Sequence, residues 1–276
     1  MTAGLPAAAL LTGSTRILVP RQTMPPLSPV RAVPLFHDIG FIEHPDLYPA
    51  QERITRTTRF AARARSSLAV SPFTARALRT AELADHATAL PIGALHEIDW
   101  SPRHDDPYLL CVAAHEPHKN LTRLVRAFGR TPRQVRLVIC GREGKSTADL
   151  RAAASAAVEP RRIEIMSGLD DEAYARLLEG CWGYIQPSLY EGLCIPALDL
   201  AAAGAPICVG DAGNLGDVFA GTELLFDPYD TDSVESAIAR LIDDGPFRQY
   251  AANVGRSRSH KTDWVAVAHS AVEAMQ

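Results

Sequence analysis

From Pro107 to the C-terminus short apolar runs alternate with amphipathic segments, and that alternation leaves few folds open. YLLCVA, VRLVICG, RIEIM, WGYIQP, APICVG and ELLFDP read as strands. NLTRLVRAFGR, TADLRAAASAAV, DDEAYARLLEG and IPALDLAAAG read as the intervening helices, with further helical stretches after the last strand. In the first of these helices Leu121, Leu124, Val125 and Phe128 recur at i, i+3, i+4 and i+7, the stripe of a helix with one buried face. DDEAYARLLEG opens on acids, which favour the positive end of a helix. IPALDLAAAG has Pro196 for its first turn and Gly204 for its end. Strands without polar alternation, each followed by a helix, predict a parallel sheet covered on both faces.

The first hundred residues repeat the plan less fully. RAVPLFHDIGF predicts a strand entering a loop, RITRTTRFAARAR a helix, SSLAVS a strand, SPFTARALRTA a helix capped by Ser71, and HATALPIG a strand. WSPRHDDP, rich in proline and charge, is the expected linker. The expected division is a partial N-terminal Rossmann-like domain over 1–104 and a C-terminal Rossmann-like domain over 105–276. In such sheets ligands bind beyond the carboxyl ends of the strands, so the loops there are where chemistry is expected.

Composition narrows the partners. A formal net charge of -4 argues against general nucleic-acid binding. The five cysteines form no C-x-x-C pair, and four lie in or beside apolar runs, which predicts buried thiols in a reducing compartment and no metal site. No apolar run approaches the roughly 20 residues of a membrane span. The opening MTAGLPAAALLTGSTR lacks the basic start of a signal peptide, so a cytoplasmic protein is expected, with peripheral contact at the inner membrane face left open.

Three segments carry candidate chemistry. QPSLYEGLCIPALDL places Glu191 in a loop and Asp199 eight residues on, in the following helix, with Gly192 permitting close backbone approach. Two carboxylates so spaced can accept from hydroxyls at two points of an extended ligand, and backbone amides at the helix entrance can meet phosphate oxygens. CVAAHEPHKNLTRL puts Lys119 beside a helix's positive end, suited to a diphosphate, with Asn120 as the expected cap and His115 and His118 as further donors. PLFHDIGF ends a strand on His37 and Asp38, where a histidine can hold a sugar hydroxyl. Taken singly, each segment reads as readily as an ordinary polar loop.

Together, in this order, HD at His37–Asp38, EPHKN at Glu116–Asn120 and EGLCIP at Glu191–Pro196 with Asp199 resemble glycosyltransferase family 4. The likeness runs from about Thr15 to the C-terminus, and FDPYDTDSVESAI adds to it. The resemblance implies an α/β GT-B fold of two Rossmann-like parallel-sheet domains and retaining transfer of a hexose, mannose among the candidates. The donor would be a nucleoside-diphosphate sugar and the acceptor a glycan or lipid-linked glycan, as in polysaccharide biosynthesis. It implies no cofactor and no metal. By position, Glu191 would contact the donor sugar, Asp199 the ribose and Lys119 the diphosphate. Backbone at Gly192, Leu193 and Cys194 would meet sugar hydroxyls, His118 would stand in the leaving-group site, His37 would touch the transferred sugar, and Ser71 and Asp38 would lie on the acceptor side.

The departures shape a rival reading. Cys194 stands where the family loop usually has glycine, and a positive φ there would strain it or narrow the sugar pocket. Asp199 is one methylene shorter than the usual glutamate. Ala113 and Ala114 occupy a stretch where many members have arginine, and His118 replaces another. The family's opening strands and glycine-rich loop have no counterpart, so the N-terminal domain is expected to be incomplete, with an exposed edge that a partner protein would cover. The rival is a remnant or regulatory subunit that binds nucleotide, or a partner transferase, without transfer.

Overall fold

A computed structural model of the chain describes residues 13–22, 30–48, 52–131 and 134–276. The apolar opening stretch, apart from its last residues, and positions 23–29 lie outside these. The chain divides into two compact units, Met1–Ile92 with Thr262–Gln276, and Gly93–Lys261. In chain order the strands are β1 (Arg16–Val19), β2 (Arg31–Phe36), β3 (Ser67–Ala69), β4 (Ala87–Ala89), β5 (Tyr108–Val112), β6 (Arg136–Cys140), β7 (Ile163–Met166), β8 (Gly183–Gln186), β9 (Ile207–Gly210) and β10 (Leu225–Phe226). The helices are α1 (Gly40–Glu43), α2 (Glu52–Ala61), α3 (Pro72–Thr80), α4 (Leu121–Phe128), α5 (Thr147–Ser155), α6 (Asp171–Glu179), α7 (Ile195–Ala203), α8 (Gly213–Val218), α9 (Thr231–Asp243), α10 (Gly245–Arg258) and α11 (Trp264–Met275).

The first unit holds a four-stranded sheet in the order β1-β2-β3-β4, with every pairing parallel. One apolar cluster gathers Phe36, Ile39, Ala69 and Leu78. A second gathers Val33, Leu68 and Leu90 with Val267 of α11. The final helix therefore belongs to the first unit, although sequence order assigned it to the second. Ala271, Ala274 and Met275 of the same helix pack against this cluster.

The second unit holds six parallel strands in the order β10-β9-β8-β5-β6-β7. Starting at the centre, the chain builds outward through β6 and β7, returns to the other flank of β5, and builds outward again through β8, β9 and β10. This is the doubly wound order expected of the second domain. The central strands are buried along their length, β8 and β9 completely, while the edge strand β7 is only partly covered. Leu121, Leu124, Val125 and Phe128 all lie in the core, as their spacing predicts.

The expected linker packs as part of the second unit. Ser101 N donates to Glu179 O at 2.9 Å, Arg103 N to Gly180 O at 3.0 Å, and the Trp100 indole N–H to Cys181 O at 2.8 Å. These bonds tie the proline-rich segment to the end of α6, so the division falls after Ile92 and not after 104. Among the described residues no helix is long and apolar enough to cross a membrane.

Candidate active site

β5 and β8 are neighbours, with Leu109 opposite Gly183 and Leu110 opposite Tyr184. The chain leaves them in opposite directions, so the loops at their carboxyl ends diverge and leave a crevice between. One loop carries Lys119, at the end of a short 3-10 turn before α4. The other carries Glu191, ahead of α7. The two side chains meet: Lys119 Nζ lies 2.8 Å from Glu191 Oε2, with the carboxylate side chain 8% exposed.

Glu191 is held from its other oxygen as well. Ser188 Oγ donates to Oε1 at 2.7 Å and Gln186 Nε2 to the same atom at 3.3 Å. Tyr184 and Gln186 lie on one face of β8 because strand side chains alternate, and the tyrosine hydroxyl donates to Gln186 Oε1. The glutamine amide is thereby fixed with its nitrogen toward Ser188 and Glu191. Tyr184, Gln186, Ser188 and Glu191 are all buried, so this polar chain is preorganised in a low-dielectric setting. Behind it, Asn214 N donates to Glu191 O at 2.9 Å. Gly213 has φ +58°, and a Cβ there would sit 2.6 Å from Glu191 N, so glycine is what lets α8 close against this loop.

The two loops are also stitched by backbone and amide. Leu189 N donates to His118 O at 2.8 Å. Asn120 does not cap α4 through its side chain. It adopts a left-handed conformation (φ 56°, ψ 27°), and its Nδ2 donates to Pro187 O at 3.1 Å and Pro228 O at 2.7 Å. One amide thus fixes the loops after β8 and β10 to the start of α4.

His118 sits beside Lys119. Burial, reinforced by the lysine charge, pushes its pKa down to about 4. The ring is neutral at pH 7 and brings hydrogen bonding but no charge to the loop. An unfolded histidine titrates near 6.5, so between about pH 6.5 and 4 the unfolded chain binds the extra proton and stability falls as pH falls. His118→Gln is expected to flatten that part of a stability–pH profile followed by urea unfolding. An unchanged slope would show that the ring titrates normally.

Cys194 caps α7 at φ 61°, ψ 69°, so this position does require the left-handed region. Burial raises the thiol pKa well above normal, with Glu191 adding to the rise, so the sulfur stays protonated. Glycine accepts this backbone freely, whereas a β-branched side chain does not. Cys194→Val is expected to lower stability by about 2 kcal/mol or more, while Cys194→Gly stays within about 1 kcal/mol of the parent. Equal losses in both variants, read from urea midpoints, would mean that packing of the thiol and not backbone conformation governs the position.

Asp199 is 2% exposed. Its Oδ1 accepts from Leu95 N at 2.6 Å and His96 N at 3.2 Å, and its Oδ2 lies 2.7 Å from His96 Nδ1. The structure therefore engages this carboxylate with the segment at the start of the second unit. Gly192, Leu193 and Cys194 follow Glu191 at the entrance of α7, as expected. A separate hollow of about 530 Å³ opens where β6 and β7 end, lined by Gly141, Arg142, Ser167, Gly168, Leu169 and Tyr174 among others.

His37, Asp38 and Ser71 are grouped in the first unit. His37 Nε2 lies 3.1 Å from Pro20 O, and Asp38 Oδ1 accepts from Gly40 N at 3.2 Å. Ser71 is buried and caps α3, accepting from Thr74 N at 3.1 Å. Thr74 Oγ1 donates to His37 O, tying the cap to the strand end. His115, offered as a further donor in the second unit, is buried with Nδ1 3.2 Å from Thr147 Oγ1, and burial lowers its pKa.

Sequence reasoning overlooked Gln186 and Ser188. The signal was present, since an amide inside an otherwise apolar buried strand needs a partner.

Comparison with known proteins follows the same lines. The family model described as glycosyl transferases group 1 matches residues 96–258. The O-antigen chain mannosyltransferase B of Escherichia coli is 24% identical over 261 residues, 85% of this chain and 67% of that protein. The serotype-specific mannosyltransferase WbdA of the same species matches at 24% identity, but the chain spans only 21% of its length. An MMP alpha-(1->4)-mannosyltransferase of Mycolicibacterium hassiacum is 33% identical over 114 residues, 40% of this chain and 28% of that one. Among solved structures, Anabaena Alr3699/HepE in complex with UDP-glucose superposes with a TM-score of 0.80 at 16% identity, covering 99% of this chain and 81% of that one. Sucrose-phosphate synthase from Thermosynechococcus elongatus superposes with a TM-score of 0.79 at 19% identity, covering 99% and 76%. At these identities the superpositions establish the fold.

Proposed function

The chain belongs to the glycosyl transferases group 1 family, and from that premise we propose that it moves a hexose, mannose first among the candidates, from a nucleoside-diphosphate sugar to a glycan or lipid-linked acceptor with retention of configuration. The observation that carries this reading is the meeting of Lys119 and Glu191 at 2.8 Å where β5 and β8 diverge. The mannose preference rests on the similarity to mannosyltransferases.

In the proposed reaction the C1–O bond to the diphosphate breaks, and an acceptor oxygen bonds to the same face of C1. The acceptor proton leaves toward the departing phosphate. Charge develops on the leaving oxygen, and Lys119 with the amides at the start of α4 would stabilise it. Glu191, fixed by Ser188 and Gln186, would accept from a donor-sugar hydroxyl. Amides of Gly192, Leu193 and Cys194 at the entrance of α7 would bind further hydroxyls. The hollow at Gly141–Leu169 is proposed to take the nucleotide base. Asp199 is assigned a positioning role, because its oxygens already serve Leu95 and His96. The acceptor-side roles of His37, Asp38 and Ser71 rest on the family resemblance alone.

A nucleotide-binding protein without transfer activity is favoured by Cys194 in a glycine conformation and by the neutral state of His118. Calorimetry with UDP and GDP, run beside a transfer and hydrolysis assay over a donor panel, separates the two. Binding with turnover supports the transferase, and binding without turnover supports the rival. Absence of both would remove the nucleotide-sugar reading.

A further inference from the structure

At the opposite, amino end of the second sheet lies a hollow of about 320 Å³ that the proposed reaction does not use. Its walls include the indoles of Trp100 and Trp182, the imidazole of His104, and Arg248, Gln249 and Arg256 from α10. We propose that it binds an anionic sugar unit, a pyranose carrying a phosphate or carboxylate.

The aromatic surface is built in. His104 meets Trp182 edge-on with ring centroids 5.1 Å apart, and the Trp100 N–H is anchored on Cys181 O. Indole faces suit the apolar C–H face of a pyranose.

The cationic side is equally fixed. Arg248 Nη1 donates to Leu241 O at 3.2 Å and Ile242 O at 2.8 Å, holding the guanidinium 5.0 Å from the Trp182 ring. Arg256 Nη2 donates to Ala203 O at 3.2 Å. It reaches that carbonyl because residue 204 is glycine: a Cβ there would lie 1.9 Å from Nη2. Each guanidinium carries five N–H donors, so both retain donors beyond these bonds. The named residues lining the hollow include no aspartate or glutamate. Two positioned guanidiniums beside aromatic rings together select an anion with one apolar face.

The test uses the full chain in a Trp264→Phe background, so that Trp100 and Trp182 report by fluorescence. Glucose 6-phosphate, glucuronate, glucose and inorganic phosphate are titrated in turn. The expected result is saturable quenching by glucose 6-phosphate or glucuronate, at least about tenfold tighter than by glucose or phosphate. A stronger response to glucose 6-phosphate identifies a sugar phosphate, and one to glucuronate an acidic sugar. Arg248→Gln and Arg256→Gln should each weaken binding about tenfold, whereas Lys119→Ala, at the other end of the sheet, should leave it unchanged. Should either arginine variant fail to fold, the titration of the parent still decides. Equal response to phosphate, equal response to glucose, loss in Lys119→Ala, or no response at millimolar probe would each overturn the proposal.

Discussion

Lys119→Met is expected to lower the transfer rate constant by about 100- to 1000-fold, the usual loss when one preorganised donor to a developing anion is removed. The lysine has two partners to serve in succession. Before donor binds, it neutralises Glu191 at 2.8 Å in a site from which water is largely excluded. Once a diphosphate leaves, it would face the stronger charge of the departing oxygen. The variant also strands a buried carboxylate. A fully buried pair broken on one side loses about 3–5 kcal/mol. Here the lysine side chain is 17% exposed and Glu191 keeps its bonds from Ser188 and Gln186, so a stability loss of about 1–3 kcal/mol is expected. The double variant Lys119→Met/Glu191→Gln separates the effects. It removes both charges, so stability should recover toward the parent while activity stays lost. Single-turnover rates and urea midpoints on the three proteins check this. A kcat within about threefold of the parent for Lys119→Met would exclude the lysine from leaving-group stabilisation, and activity restored in the double variant would show that it matters for folding alone.

The same pair shows how far residue order reaches. The second sheet was legible because most of its strands carry continuous apolar runs and some of its helices announce their ends, as Gly204 does with φ +88° and Asp170 does by capping α6. Lys119 and Glu191 were legible as residues of loops after β5 and β8, since strand order alone brings those loops together. What stayed hidden was long-range bonding. Asn120 reads as a helix cap because asparagine before an amphipathic run usually is one. Its amide instead reaches Pro187 and Pro228, contacts that only the packed sheet creates. The unit boundary was misplaced for the same reason. WSPRHDDP has linker composition, yet the backbone N–H groups of Ser101 and Arg103 donate to Glu179 and Gly180 at the end of α6. Nothing local in α11 marks that Val267 packs with Val33 and Leu68 of a sheet formed far earlier in the chain.

Asp199 tests whether family position or observed bonding governs a residue's role. Asp199→Ala is expected to destabilise the protein by about 2–4 kcal/mol, because it strips acceptors from two backbone N–H groups and one ring N–H. The 2.6 Å bond from Leu95 N is charge-assisted and made by a side chain 3% exposed, so it stands at the strong end of that range. Some of the loss is recoverable by water, since Leu95 and His96 are not fully buried. Asp199→Asn keeps one carbonyl oxygen for the backbone donors but places an amide or an uncharged oxygen against His96, so about 1 kcal/mol is expected. Asp199→Glu restores the longer acid of the family and must fit an extra methylene into a closed site. It should push the 95–96 segment outward and cost about 1–3 kcal/mol. A ribose ligand makes the opposite forecast. Asp199→Asn would then raise the donor KM at least tenfold with an unchanged urea midpoint, and Asp199→Glu would be neutral or improve binding. Measuring midpoint and donor KM on all three variants decides the matter, because a clamp moves stability first and a ribose ligand moves KM first.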